Sequence, residues 1–509
     1  MFKYIAKRIG ISFVVLLIAS VLLFVLTINS GDPLKDLRES NNRNRDNLMA
    51  QRTQIMGLDR PWYVRYWDWL AGVSRCFAGS CDFGRNRSGL DVNDMLASAA
   101  ASTIRLVLLS VILSIVVGVF FGVMTAIRQY SGFDYVVTFL AFVFFSLPSF
   151  VFAVLLKEYG AIRFNNWLSE PRISLTMAIV LALLFALLVQ AMGGGSRRRR
   201  LITGGATFAI TVVALQIISA TQWIANPATE SFVLEIVVGI AAAVLMTSLF
   251  TGLSNRRALA CTLGTAAAVL VLLLIVQGQL WEPTWGLLAI LLVAVVAIGA
   301  LIGRFFGGYA RGSVAWASVW TAVSVFLAAC MDFMARYWTD YVALVRGRAI
   351  STTGSVTPNF KGQGVFWHEF IDTSTHLLLP TITLTLLSVA SYTRYTRSSM
   401  LEVLGQDYIR TARAKGLPER TVITRHAFRN AMIPITTIVA YDFASLIGGA
   451  VITERVFGWK GMGELFITGL DQVDPAPVMA FFVVTGSIAI LMNLVADIAY
   501  AYIDPRIRR

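Results

Sequence analysis

Residues able to carry chemistry or force are few in this sequence, and most of them fall in one stretch, Tyr408–Pro434, YIRTARAKGLPERTVITRHAFRNAMIP. Arg410, Arg413, Lys415, Arg420, Arg425, His426 and Arg429 interrupt apolar sequence there. With apolar spans on both sides, the stretch reads as a cytoplasmic loop of short helices lying against the membrane surface. Ala412, Ala414, Leu417, Val422, Ile423 and Phe428 can supply its apolar side, while Gly416-Leu417-Pro418 stops one helix and starts another. Two short amphipathic helices meeting at a glycine corner make a knob that another protein could grip. The same charges also fit an ordinary basic loop that obeys the positive-inside rule.

Other candidates are isolated. Asp442 and Asp497 fall inside apolar spans, and an ionisable group there is a functional candidate because burying charge in lipid is costly. Asp442 could attract a peptide N-terminus or a cation if it faces a pathway, or it could pair with a neighbouring helix. Pro148, in SLPSF, sits within a span and reads as a kink first and a pathway-lining element second. Cys76 and Cys81 share a polar loop, CFAGSC, and can form a small disulfide if that loop is extracytoplasmic. Cys261 and Cys330 read as inert packing residues. The three histidines are scattered, with His376 at an interfacial helix start and His426 in the basic loop. No catalytic constellation and no metal-ligand spacing is visible. There is no G-x-x-x-x-G-K-[ST] loop, so ATP hydrolysis is not expected in this chain. Gly193–Gly195 precedes four arginines rather than a strand-to-helix turn, and reads as a hinge.

The elements that must position these groups are membrane helices. The 509 residues are 57% hydrophobic and 14% charged, with a mean hydropathy of +0.69. Soluble domains carry roughly a quarter charged residues, so a polytopic all-α membrane protein is indicated. The net charge of +14 does not point to nucleic acid, because the basic residues collect in short loops between apolar runs. Residues 1–30 form the first span, with a cytoplasmic N-terminus; the run is long enough to cross, and no signal-peptide cleavage site follows. Residues 31–100 form an extracytoplasmic subdomain whose tryptophans and tyrosines seat it on the interface. Spans follow at 103–127 and 135–157. Six further apolar runs lie near 174–192, 203–223, 232–253, 258–277, 285–303 and 314–334. Arg197–Arg200, Arg256–Arg257 and Arg304–Arg311 alternate with turns that lack Lys and Arg, so the six close on themselves as an inserted bundle. These runs are rich in Ala, Val and Leu with few polar groups, which suits a lipid-facing accessory bundle. Residues 335–375 are placed outside, and spans at 376–397, 432–453 and 476–503 complete about 12 transmembrane helices.

The Tyr408–Pro434 stretch resembles the coupling loop of binding-protein-dependent ABC importer permeases. Arg410-Thr411-Ala412 stand where that family has E-A-A, Gly416 holds its glycine and Pro434 its later proline. RTARAKG followed by RHAFRNAMIP is the form of the dipeptide/oligopeptide/nickel branch. GLDRPWYVRYWDWL, SLPSF, HLLLP, RYTRSSMLEVL and NLVADIAYAYIDPRIR resemble the same branch, and Asp497 matches its NLxxD, where helix packing is at least as apt as solute contact. In AVITERVFGWKGMGELF the family form has proline at Lys460. The resemblance covers the two ends of the chain and stops between about 160 and 330. It implies a multi-pass permease in the cytoplasmic (inner) membrane of a prokaryote, both termini cytoplasmic, with a family core at 101–158 and 376–509. It further implies a second homologous permease subunit, two ATP-binding subunits that hold ATP and Mg, and an extracytoplasmic solute-binding protein delivering a peptide-like solute. Cofactors are expected in the partners and none in this chain. The alternative from another class is a self-contained ion-coupled secondary transporter, which predicts matching broken helices in two halves. No such correspondence is visible.

Overall fold

Apolar runs surrounded by lipid must satisfy every backbone N–H and C=O internally, so they become helices. The structure, a computed structural model, describes residues 2–192, 197–227, 232–358, 360 and 364–503. Its membrane-length helices are α1 (Phe2–Ile28), α3 (Val92–Ile127), α4 (Gly132–Ser146) continued by α5 (Ser149–Leu156), α6 (Leu175–Met192), α7 (Arg197–Ala220), α8 (Val233–Phe250), α9 (Arg256–Ile275), α10 (Trp285–Phe306), α11 (Arg311–Leu344), α12 (Phe366–Leu404), α14 (Phe428–Gly449) and α17 (Pro475–Ile503). Shorter helices used below are α2 (Trp62–Ser74), α13 (Asp407–Ala414), α15 (Val451–Phe457) and α16 (Met462–Asp471). Nine helices among the described residues are long and apolar enough to cross a membrane, or ten when α4 and α5 count as one broken span. The apolar α6 and α14 bring the set to the expected twelve.

Alternating crossings place the loops at 128–131, 251–255, 307–310 and 405–427 on one face, called the basic face here for the arginines of 405–427. The centre of the molecule is the pair α3 and α12, which run side by side in the same direction, from the far face to the basic face. Glycines let the two backbones approach: a Cβ on Gly118 would meet the Tyr392 Cβ at 2.5 Å, and one on Gly122 the Thr396 Cβ at 2.5 Å. Leu106, Val107 and Val111 of α3 then pack with Leu384 of α12 and with Trp459, Met462 and Phe481 from the far end of the chain. A second cluster joins α9, α10 and α11, with Val269, Val295 and Phe333 at its centre and Trp367 of α12 against it. Helices α6 and α7 pack chiefly on one another at the edge.

Four sequence expectations change. Helix α3 begins at Val92, capped by the Asp91 side chain, which accepts from Asn93 N at 2.8 Å. Helix α12 begins at Phe366, so His376 is not at a helix start; it is 5% exposed, with Nδ1 2.7 Å from the Asp372 carbonyl. Polar residues at these ends looked like loop, but tertiary partners satisfy them inside a helix. Asp372 accepts from Thr357 N at 2.8 Å and from Thr357 Oγ1 at 2.6 Å. Pro148 does more than kink its span, since α4 and the helical segment after it meet at 103°. Finally, the inserted runs do hold buried charge. Glu235 and Asp332 are fully buried, and Arg336 reaches back one turn to Asp332 at 2.6 Å. That i,i+4 spacing makes the burial tolerable.

Candidate functional site

The basic-face corner is built from the backbone outward. Helix α13 ends at Ala414, and Gly416 takes a left-handed conformation (φ +73°) with its N–H on the Arg413 carbonyl at 2.9 Å. Leu417 N reaches the Ala412 carbonyl at 3.4 Å, closing the C-terminal cap. Pro418 then caps a short helix, Glu419–Thr421, which continues as a π turn over Val422–Ala427 into α14. One side of this corner is buried: Ile409, Ala412, Val422, Ala427 and Ala431 pack on Ala126 of α3 and Met400 of α12. The corner is therefore seated on the ends of the two central helices.

The opposite side is open. Arg410, Thr411, Arg413, Lys415, Gly416 and Glu419 are exposed, and Leu417 is 38% exposed. Arg413 bridges the corner, its Nη2 2.7 Å from Glu419 Oε1 and its Nε 3.2 Å from Oε2. That hydrogen-bonded arginine holds the Glu419 carboxyl below its ordinary value. Arg410 lies 3.5 Å from Asp407, a loose pair at the surface. Thr411 Oγ1 donates to the Asp407 carbonyl at 2.9 Å. His426 is half-buried in the π turn. Pro434 is inside α14, where its ring removes an N–H from the helix ladder. The side chain of Arg420 lies outside the described residues. Ala414 is exposed although the sequence offers it to the apolar side, and Ile409 takes that place.

Behind the corner, Arg397 of α12 donates through Nε and Nη2 to Asp134 of α4, each at 2.9 Å. This bidentate pair fastens α4 to the last turns of α12. Sequence reading has no way to find it, because 263 residues separate the partners. Asp442 receives the Tyr392 hydroxyl at 2.9 Å and a hydrogen bond from Ser388, both on α12. It thus pairs α14 with α12. The side chain of Asp497 lies outside the described residues.

The far face carries a second corner, and Glu454 is the group that sequence reading misses there. It is fully buried, accepting from Thr103 Oγ1 at 2.7 Å, Gly463 N at 2.7 Å and Glu464 N at 3.1 Å. Burial pushes this carboxyl up, and the three donors offset part of the shift. Gly458 makes the turn (φ +56°), and Trp459 Nε1 donates to the Ser102 carbonyl at 3.2 Å. Lys460 is exposed between them. On the same face Cys76 and Cys81 are joined in a disulfide, and Asp474 at the head of α17 accepts from Arg87 N at 2.6 Å. Among the described residues no group of three or more His, Cys, Asp or Glu side chains could hold a metal ion.

Twelve membrane-length helices among the described residues, around a glycine-spaced pair and with a packed basic corner on one face, define a multi-pass all-α membrane protein. The chain belongs to the binding-protein-dependent transport system inner membrane components. Residues 296–509 match that family, and residues 1–86 match its N-terminal component, together more than half of the chain. The chain is 46% identical over 156 residues to an oligopeptide transport system permease protein of Mycobacterium tuberculosis, covering 31% of this chain and 47% of that protein. It is 48% identical over 132 residues to an oligopeptide transport system permease protein of Bacillus subtilis, covering 26% and 42%. Against a dipeptide transport system permease protein of Escherichia coli the identity is 46% over 145 residues, 28% of this chain and 43% of that one. The chain thus spans a little under half the length of these relatives.

Proposed function

We propose that this chain is the membrane permease subunit of an ATP-driven importer of di- or oligopeptides. The observation that carries the reading is the basic-face corner. It is compact and apolar on the side that meets α3 and α12, and polar and exposed on the side that faces away. Membership of the family and its peptide-permease relatives supports the same reading.

In this reading the basic face is cytoplasmic and the membrane is the inner membrane of a prokaryote. Two ATP-binding subunits supply ATP and Mg, and one of them grips the corner around Arg410, Lys415 and Leu417. A second permease subunit completes the pathway, and a solute-binding protein docks on the 31–100 and 335–375 segments. When the ATPase pair closes, the corner moves as one body because its apolar side is seated on Ala126 and Met400. The Asp134–Arg397 pair passes that motion from α12 to α4, so the broken span at Pro148 shifts with it. The inserted runs ahead of the family match, residues 159–295, are an accessory bundle beside this core. The catalysis of hydrolysis belongs to the partners.

The test compares the intact chain with an Arg410→Glu plus Leu417→Asp variant, both surface changes that leave the buried side untouched. The expected result is that an ATPase co-purifies with the parent and is lost from the variant while the thermal midpoints agree. A parent that purifies alone and drives uptake from an ion gradient would be a secondary transporter instead.

A further inference from the structure

Arg394 and Arg397 stand one turn apart on α12, and the fold treats them in opposite ways. Arg397 is neutralised by Asp134. Arg394 has no carboxylate partner among the described residues. Its guanidinium lies over the Phe145 ring at 4.4 Å and 5.5 Å from the Tyr395 ring.

The direction of the side chain is informative. A helical side chain leans toward the N-terminus of its helix, and α12 runs toward the basic face. Arg394 therefore points away from that face and toward the end of α4, on an exposed part of this chain's surface. Phe145 lies near the end of α4, and about 20 Å of helix separates it from Gly132. An arginine that only needed water would turn its head to the nearer surface. This one holds its charge beside the Pro148 break.

A cleft of about 350 Å³ opens at this point between α4 and α12, lined by Thr138, Phe142, Phe145, Thr393, Arg394 and Ser398. That is the lower end of ligand-sized cavities, which run roughly 300–1,000 Å³. Its chemistry is apolar wall, three hydroxyls and one uncompensated cation. A cation held by a ring face keeps its N–H donors unspent, and a guanidinium offers them in a fork that matches a carboxylate. The ring contact also avoids a permanent ion pair, which would have to be broken for each passing solute.

We propose that Arg394 is a carboxylate-binding station on the solute path, receiving the C-terminal carboxylate of a peptide as it passes between α4 and α12. The proposal rests on the peptide-import reading above and names the site where the solute's charge is met.

The experiment uses the assembled transporter in proteoliposomes, with tetra-alanine and tetra-alanine amide as probes. The parent is expected to favour the free acid. Arg394→Gln should cut acid uptake about tenfold and amide uptake less than twofold, with Arg394→Lys in between. Equal losses for both probes, or no loss, overturn the site while leaving peptide import standing. A second readout does not depend on transport or on a variant folding: modification of Arg394 by phenylglyoxal in the purified parent. Millimolar tetra-alanine should protect it and the amide should not. Protection by neither, or an unreactive Arg394 sealed against another subunit, overturns the proposal. Selective protection in a parent that carries neither peptide retains the site and removes the peptide-import reading.

Discussion

The two faces of the molecule each end in a corner where short helices turn at a left-handed glycine, yet the corners are held by opposite means. On the far face, Gly458 turns the chain above Glu454, whose buried carboxylate gathers Thr103 of α3 and the first N–H groups of α16. On the basic face, Gly416 turns the chain above an apolar seat of Ile409, Ala412 and Val422, and the Arg413–Glu419 ion pair across it is exposed. A buried charge with all its donors in place fixes one geometry, because any displacement leaves polar groups unsatisfied. An apolar seat with a polar outer surface can move as a body and still present contacts. The far-face corner is thus a clamp, and the basic-face corner suits a handle.

The comparison can be broken from either side. Its largest expected effect is at Glu454. Glu454→Ala leaves Thr103 Oγ1, Gly463 N and Glu464 N without their acceptor and should cost more than about 3 kcal/mol. The thermal midpoint of the purified protein reads this, and a cost below about 1 kcal/mol would mean that the clamp is not set by charge. On the other face, Ile409→Ala empties the apolar seat, a loss of about 2–4 kcal/mol for a fully buried side chain. Because the seat is local, backbone hydrogen exchange should accelerate over 405–427 while the global midpoint moves little. A cooperative drop of the whole molecule would show that the corner is no separate body.

Smaller effects sharpen the contrast. Gly416→Ala meets no neighbour within 4 Å, so its cost is backbone strain alone, about 1 kcal/mol. Adding a Cβ at Gly461 on the far face would instead drive it into the Glu454 carboxyl. The smallest effect belongs to Arg413→Gln, at most about 1 kcal/mol and weaker in high salt, since both partners are exposed. Its pH dependence has a defined sign. The folded-state pKa of Glu419 is depressed below the ordinary 4.5. The contribution of the pair is therefore complete above that value and is lost as pH falls through the folded pKa. The parent and Arg413→Gln should converge in local exchange rates at low pH, and a difference that persists there would deny the pair any role.

Legibility varied with the distance between interacting residues. The basic-face corner was readable because its parts are contiguous: Gly416-Leu417-Pro418 encodes the stop and restart, and the spacing of Ala412, Val422 and Phe428 encodes much of the buried side. Even there Ala414 and Ile409 exchanged roles, since a one-residue rotation of a two-turn helix decides which is covered. Glu454 is not legible in the same way, because a lone Glu between apolar runs looks solvated until Thr103 and the α16 N–H groups enclose it. The N-terminal ends of α3 and α12 read as loop in sequence for the same reason. Their polar residues are satisfied by partners outside the helix: Asn93 Oδ1 accepts from Phe83 N and its Nδ2 donates to the Cys81 carbonyl, and Asp372 accepts from Thr357.

The amino-acid sequence by itself determined the number and apolar character of the helices, the alternation of their loops and the outline of the corner. Each of these follows from local composition against a lipid solvent, where backbone hydrogen bonds must close within the segment. Tertiary structure alone decided which charges are spent and which are free. Arg397 and Arg394 have the same chemistry on adjacent turns, and only the arrival of α4 gives one a carboxylate and the other an aromatic face.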